Sequence, residues 1–253
     1  MKHRNTLRIT AATAAGCGAL ALTALGASAA LATPASAPHA PAPSAAAAST
    51  GPKVTLRVEG LSKTLLPSET VATSTAAATR SGHSIAGQSA LGALNLATKG
   101  RWTGSYDNSF GWFVKSILGE SAPSGSEDYW AFYVNGVYSS SGAGTTTVKA
   151  GASYLMAMVK YPGATPLVAQ IAAPAAATAG RALAVKFQDY SAKGKLAALS
   201  GASVTYSGAG LKGKIASEAG STLKLKPTRA GKLNIAIAKD GFIRDEVTVT
   251  IKK

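Results

Sequence analysis

Tyr129-Trp130-Ala131-Phe132-Tyr133-Val134-Asn135-Gly136 is the stretch whose reading decides the fold. Asn-Gly after an apolar aromatic run is the strongest short hairpin signal, because a type I′ turn needs positive φ at both central residues. Along a strand Trp130, Phe132 and Val134 share one face, and Tyr129, Ala131 and Tyr133 share the other. The first set is assigned to a core. The alternative, that the aromatics line a groove, stays open for Tyr133 and Tyr138.

Upstream, Gly111 to Leu118 reads as a strand, and downstream so does Tyr154 to Tyr161. Near the start, Val54, Leu56 and Val58 alternate with Thr55, Arg57 and Glu59, the period of a half-buried strand. A second strand covers Thr64 to Ala72, broken near Pro67. Ser84 then caps a helix running through Lys99, with Ala90, Leu91, Leu94 and Ala97 on one face and Gly100 as its stop. Two strands, one helix and several antiparallel strands make an α+β order. A sheet wrapped around that single helix is the economical arrangement.

The remaining sequence reads as all-β. Leu183/Val185/Phe187, Leu223/Leu225, Leu233/Ile235/Ile237 and Val247/Val249/Ile251 alternate with polar residues, and short strands are added at Val168–Ile171 and Ser203–Tyr206. Strands at this spacing over about eighty-six residues indicate a small sandwich. Pro162-Gly163 and Pro166 mark the seam between the two blocks, and the run Ala172 to Gly180 extends it.

The N-terminus has a different character. Lys2, His3, Arg4 and Arg8 precede an alanine-rich apolar run from Ile9 to Leu31, the layout of a secretory signal peptide. Cleavage is expected after Ala32, with Ala29 and Ala37 as other sites. Cys17 after Ala15-Gly16 has the look of a lipobox, but the apolar run before it is short and it reads as part of the signal. Thr33 to Thr50 is almost wholly Ala, Pro, Ser and Thr, which cannot bury enough surface to fold. The expected domains are thus a signal over 1–32, a disordered linker over 33–52, an α+β domain over 53–161, a connecting segment over 162–180 and a basic sandwich over 181–253. The connecting segment contains the sandwich's first strand, so that domain could start near 167. No later apolar run reaches the ~20 residues of a membrane helix, so the expected location is secreted or extracellular, in association with the cell envelope.

Composition narrows the chemistry. Of 253 residues, 26 are basic and 11 acidic, a net of +15, while aromatics are only 6%. Both averages hide a division. Twelve of the sixteen aromatics lie between Trp102 and Tyr161, whereas residues 181–253 hold fourteen basic and five acidic residues. The single cysteine lies in the leader and the histidines are His3, His39 and His83. That excludes a disulfide framework, a thiolate nucleophile and a histidine-rich metal centre in the folded part.

Tyr106-Asp107-Asn108, Phe110-Gly111-Trp112-Phe113-Val114-Lys115-Ser116-Ile117-Leu118-Gly119 and the hairpin quoted above together resemble a bacterial secreted domain family related to the C-terminal domain of transcobalamin and intrinsic factor. The resemblance covers residues 54–161 and implies a β-grasp fold of the soluble-ligand-binding type. It also implies cobalamin as a ligand, although the family's Gly-Asp before the final strand is Gly151-Ala152 here, and the helical domain that supplies much of the cobalamin site in transcobalamin has no counterpart. The last block, with its Lys239-Asp240-Gly241-Phe242-Ile243-Arg244 turn, resembles immunoglobulin-like modules of exported bacterial proteins, which implies a scaffold. The fold class expected is therefore an α+β β-grasp-like domain followed by an all-β Ig-like sandwich.

Candidate ligand-binding residues are Trp102, Tyr106, Tyr133, Asn135 and Tyr138, because aromatic rings give large apolar contact with a polar handle. Asn135 also has turn chemistry as sufficient reason. Lys193/Lys195, Lys212/Lys214 and Lys224/Lys226 recur at a spacing of two, which places each pair on one strand face. They could bind wall polyanions, or form the charged outer surface that sandwich edges need. Glu127, Asp128 and Asp107 lack the regular spacing of a calcium loop. Ser81, Ser84, Asp107 and His83 could be assembled into a triad, but no nucleophile turn marks the sequence. The expected function is a non-catalytic exported binding protein without a cofactor, taking a soluble ligand or envelope component; a structural or adhesive envelope protein is the alternative. Nucleic acid is not an expected partner.

Overall fold

The computed structural model describes residues 50–217 and 222–253. The expected signal peptide, and the linker as far as residue 49, lie outside the described residues. Thr50, Gly51 and Pro52, assigned to the linker, instead open the first strand.

The first half runs β1 (Thr50–Glu59), β2 (Thr64–Ser74), β3 (Ala78–Arg80), β4 (His83–Ile85), α1 (Ala90–Ala97), β5 (Trp102–Asp107), β6 (Gly111–Ile117), β7 (Glu120–Ser121), β8 (Tyr129–Val134), β9 (Val137–Tyr138) and β10 (Ser153–Val159). Its main sheet has the order β2-β1-β10-β8-β9. β1 and β10 are parallel, and the other pairs are antiparallel. Separate small sheets are β3-β4 and β5-β6-β7. β2 runs continuously past Pro67, but its pairing with β1 is interrupted there by a bulge between the Leu56–Glu69 and Val58–Leu66 pairs.

The second half runs β11 (Leu167–Ala172), β12 (Ala176–Thr178), β13 (Leu183–Tyr190), β14 (Leu196–Ala198), β15 (Ser203–Gly208), β16 (Leu211–Ala216), β17 (Thr222–Leu225), β18 (Gly231–Ala238), β19 (Phe242–Ile243) and β20 (Asp245–Lys252). One sheet is β14-β13-β11-β19 with β17 on β13; the other is β12-β20-β18-β15-β16. Leu183, Val185 and Phe187 from the first meet Leu233, Ile235, Ile237, Val249 and Ile251 from the second in one apolar core.

The expectation of an α+β β-grasp-like domain is overturned. Strands make up 56% of the described residues and helix 4%, so the chain is mostly β and sandwich-like. The expected helix from Ser84 to Lys99 shrinks to eight residues, and Ser84 lies in β4. Ser89 is the N-cap: its Oγ accepts from the N–H of Gly92 at 3.0 Å, satisfying one of the orphan donors of the first turn. Gly87 and Gly92 explain the late start. A Cβ at Gly92 would run into the carbonyls of Ala86 and Gly87, so the chain folds back over the helix where glycine alone fits. Lys99 and Gly100, both with positive φ, end it.

The Asn135-Gly136 turn forms as its residues demand, with φ of 49° and 77° joining β8 to β9. Trp130 and Phe132 pack on the face that also buries Leu91 and Leu94 of α1. Ala131 and Tyr133 point the other way, and with Leu155, Ala157 and Val159 they meet Val168 and Ile243 of the second half. Both faces of the first-half sheet are therefore covered, and the described residues all belong to one compact unit.

Charge as well as apolar surface joins the halves. Arg57 Nη1 is hydrogen-bonded to Asp245 Oδ1, and Asp245 Oδ2 accepts from the N–H of Ile171 at 2.7 Å. Arg57 Nε lies 3.6 Å from Glu59 Oε1, whose carboxylate also accepts from the Thr64 hydroxyl at 2.9 Å. Arg57, Glu59 and Asp245 are all buried. Arg244 adds a further link, donating from Nη2 to the carbonyls of Gly60 and Leu61.

Candidate functional site

The β5-β6 hairpin and the turn between β3 and β4 bring Tyr106, Trp112 and His83 together. Cross-strand pairing sets Tyr106 opposite Trp112, and their rings meet edge to face at 5.5 Å. His83 stacks on Tyr106 with centroids 4.0 Å apart and planes 17° from parallel. Behind them Trp102, fully buried, meets Trp112 edge to face at 5.3 Å. Trp102 is itself fixed on two sides. Its Nε1 donates to Asn95 Oδ1 at 2.9 Å, and the Arg80 guanidinium lies 4.3 Å from its ring centroid while donating to the carbonyls of Trp102 and Gly100, each at 2.7 Å. Such edge-to-face and cation–π contacts add to burial and hold rings in one orientation.

These rings border a cavity of about 200 Å³ between Tyr106, Phe110, Trp112, Ser84 and the Gly142–Thr145 loop. Glycines at 142 and 144 keep the loop side open: the first atoms a Cβ at Gly144 would meet, Leu91 and Trp112 side chains, are 3.6 Å away. Phe110 at the hairpin tip is 73% exposed and gives the cleft an apolar rim facing solvent, while Phe113, next to Trp112 on β6, is exposed on the other face of the hairpin. Chemically the arrangement offers flat π faces, the Ser84 backbone and hydroxyl-bearing walls, and no charged group lines it.

The five sequence-derived ligand residues do not converge. Trp102 and Tyr106 belong to this cluster, Trp102 as buried support and Tyr106 as the exposed wall. Tyr133 is buried at the junction of the halves, where its hydroxyl donates to the Pro166 carbonyl at 3.1 Å. Burial first, with Tyr129 and Tyr138 beside it, pushes that hydroxyl above the ordinary tyrosine value. Tyr138 is half-exposed and edge-on to Tyr133 at 5.7 Å. Asn135 serves the turn, its Oδ1 accepting from the Ser153 N–H at 2.9 Å, and a Cβ at Gly136 would run into the Tyr190 ring. Trp112, a less favoured groove residue than Trp102 and Tyr106 on sequence, is a wall of the cleft, and sequence reasoning missed His83 as the ring stacked on Tyr106. The two-residue Ser81-Gly82 turn, with positive φ at both positions, was the available signal that His83 returns on a hairpin.

The triad arrangement is not formed. Asp107 Oδ1 accepts from the N–H groups of Ser109 and Phe110 within its own turn, and the His83 ring is stacked. No group of three or more His, Cys, Asp or Glu is placed to hold a metal among the described residues. The lysine pairs are also dispersed. Lys212 and Lys214 lie on β16, opposite Ser207 and Thr205, on the outer face of one sheet. Lys224 lies opposite Ala184 on the outer face of the other sheet, with Lys226 just beyond β17, and Lys193 and Lys195 sit in the turn before β14. Because the two sheets share one core, these outer faces point in opposite directions.

Comparison with family models matches residues 87–157 to a domain of unknown function, DUF4430, a family related to transcobalamin-like domains. The match takes in α1, β5, β6 and the Asn-Gly hairpin. Comparison with curated proteins gives no match. Among solved structures, haptocorrin in complex with Cbi is similar at 23% identity and a TM-score of 0.34, over 44% of this chain and 25% of haptocorrin. A candidate metal-binding protein from Ruminococcus gnavus is similar at 13% identity and a TM-score of 0.32, over 43% of this chain and 97% of that one. This chain thus spans a quarter of the length of haptocorrin. No described helix is long and apolar enough to cross a membrane.

Proposed function

We propose that the chain is an exported, non-catalytic binding protein whose aromatic cleft receives the flat or sugar-like face of a soluble ligand. The observation that carries this reading is the His83–Tyr106 stack beside Trp112, bordering an open cavity. Rings already ordered by stacking lose little further freedom when a ligand arrives, so the contact is gained at low entropic cost. About 200 Å³ lies below the usual range for an enclosed drug-sized ligand. The cleft is matched to one ring or sugar unit, or to the edge of a larger molecule. A corrinoid would therefore rest on the cleft by one edge, with Phe110 extending the contact. The signal-like leader supports export.

Tryptophan fluorescence titrated with cobalamin and cobinamide, corrected for absorption of the exciting light and checked by calorimetry, tests the reading. Saturable binding that Tyr106→Ala weakens by roughly tenfold is expected. No response to corrinoids up to high micromolar concentration removes the cobalamin version; binding unaffected by Tyr106→Ala removes the cleft.

The exposure of Phe110 and Phe113 favours a second reading, a structural or adhesive envelope protein that docks the hairpin tip on a macromolecule. That reading requires salt-sensitive binding of the full chain to cell walls, reduced by replacing the lysine pairs.

A further inference from the structure

A second cavity lies elsewhere, where the two halves meet, and has a volume of about 860 Å³. Its walls mix apolar groups, among them Leu61, Pro162, Pro166 and Phe242, with the cations Lys160, Lys239 and Arg244 and the acids Glu59 and Asp240. Arg244 is aimed by the carbonyls of Gly60 and Leu61, which engage one terminal nitrogen at 3.2 and 2.5 Å. Lys239 is aimed by the Ser200 carbonyl at 2.9 Å and by the Phe242 ring, whose centroid is 4.9 Å from Nζ. Among the described residues, the ion pairs join Arg57 to Glu59 and to Asp245, and none includes these three cations. The cavity therefore carries positioned positive charge that no carboxylate pairs with directly, although Glu59 and Asp240 share its walls.

We propose that this cavity binds a small organic anion with an apolar body, its carboxylate or sulfonate drawn to Arg244, Lys239 and Lys160 and its ring or chain lying on Leu61, Pro162, Pro166 and Phe242. Cations in a partly enclosed, low-dielectric wall attract an anion more strongly than the same cations in open solvent. The apolar walls exclude inorganic phosphate or chloride as sufficient occupants, because those ions would leave them wet.

Glu59 sets a pH dependence on this site. Burial raises its carboxyl to about 7, with Asp245 adding to the rise and Arg57, the Thr64 hydroxyl and Arg244 opposing it. The groups around it are Arg57 on its own strand, Thr64 on β2, Asp245 and Arg244 from the second half, and Glu120 on β7, whose Oε1 accepts from the Leu61 N–H at 2.6 Å. Lys160, Lys239 and Asp240 face the same cavity. Below pH 7 Glu59 is neutral and the cations dominate; as pH rises through 7 it becomes anionic and repels the ligand.

The test uses anilinonaphthalene sulfonate, an anion whose fluorescence rises on an apolar wall, titrated into the full chain at pH 6 and pH 8. Saturable binding about fivefold tighter at pH 6 is expected for the wild type, and pH-independent binding for Glu59→Gln. The double variant Lys160→Ala/Lys239→Ala should bind roughly tenfold more weakly at both pH values with an unchanged melting curve, while Tyr106→Ala binds as the wild type. Absence of saturable binding, indifference to the double lysine variant, or loss of binding in Tyr106→Ala, which would move the probe to the aromatic cleft, each overturns the proposal. A pH dependence that survives in Glu59→Gln overturns the role of that residue.

Discussion

The core of the second half and the junction between the halves are built by opposite means. In the first, Leu183, Val185, Phe187, Leu233, Ile235 and Ile237 are buried side by side with no charged group among them. In the second, Arg57, Glu59 and Asp245 are 7%, 1% and 3% exposed and meet beside Leu155 and Ala157 of β10. The apolar core gains directly from area removed from water. The charged junction spends most of its attraction on desolvation, so its net contribution is small while its disruption is costly. What it adds is register: β1 and β20 can meet with satisfied charges in one alignment.

That contrast can be broken from either side. The largest expected effect is at the junction. Arg57→Ala leaves Asp245 buried without its cation and should cost about 3–5 kcal/mol in denaturant unfolding. Combining Arg57→Met with Asp245→Asn, which keeps an acceptor for the Ile171 N–H, should recover more than half of that loss. Next comes the pH response. The raised Glu59 carboxyl favours the protonated folded state, so its contribution is fully present below about pH 4.5 and is lost as pH rises through about 7. The total is on the order of 3 kcal/mol. Glu59→Gln should flatten that stretch of the stability profile and melt higher than the wild type at pH 8; equal profiles would show that Glu59 ionises normally. In the apolar core, Ile235→Val should cost about 0.5–1.5 kcal/mol at any pH, and a pH-dependent loss there would erase the distinction. The smallest effect belongs to the outer faces, where Lys212→Ala or Lys224→Ala should change stability by less than about 0.5 kcal/mol.

The same contrast explains what could be read in advance. Leu233/Ile235/Ile237 and Val249/Ile251 could be placed from their period alone, since one face of each strand meets an apolar partner. Asn135-Gly136 could be placed because two positive φ values in succession leave few residues to choose from. The β1 strand was located by Val54, Leu56 and Val58, but its polar face was assigned to solvent and is instead buried beneath the second half. Alternation shows that two faces differ without showing that either is wet; the covering segment is remote in sequence. The helix was overextended for a related reason. Its apolar spacing continues back toward Ser84, but Gly87 sits against the carbonyls of Ser74 and Ala76 at the end of β2, a tertiary contact that holds the chain out of helix before Ser89. For the candidate site, composition located the aromatic stretch, yet pairing across β5 and β6 decided that Tyr106 joins Trp112 and His83 while Tyr133 and Tyr138 do not.

The Arg57–Asp245 link also has a consequence in time. Its partners are separated by 188 residues, and during synthesis the guanidinium is made long before Asp245, while the Tyr133, Leu155 and Val159 face meets Val168 of β11 soon after β10 but Ile243 of β19 only near the end. Until β19 and β20 arrive, the first half is a sheet with one finished side and one only partly covered by β11. Contacts of such long sequence separation slow folding, because the closing of the chain comes before its reward. The interval between β1 and β20 is therefore the period in which the chain is most open to association with other copies of itself.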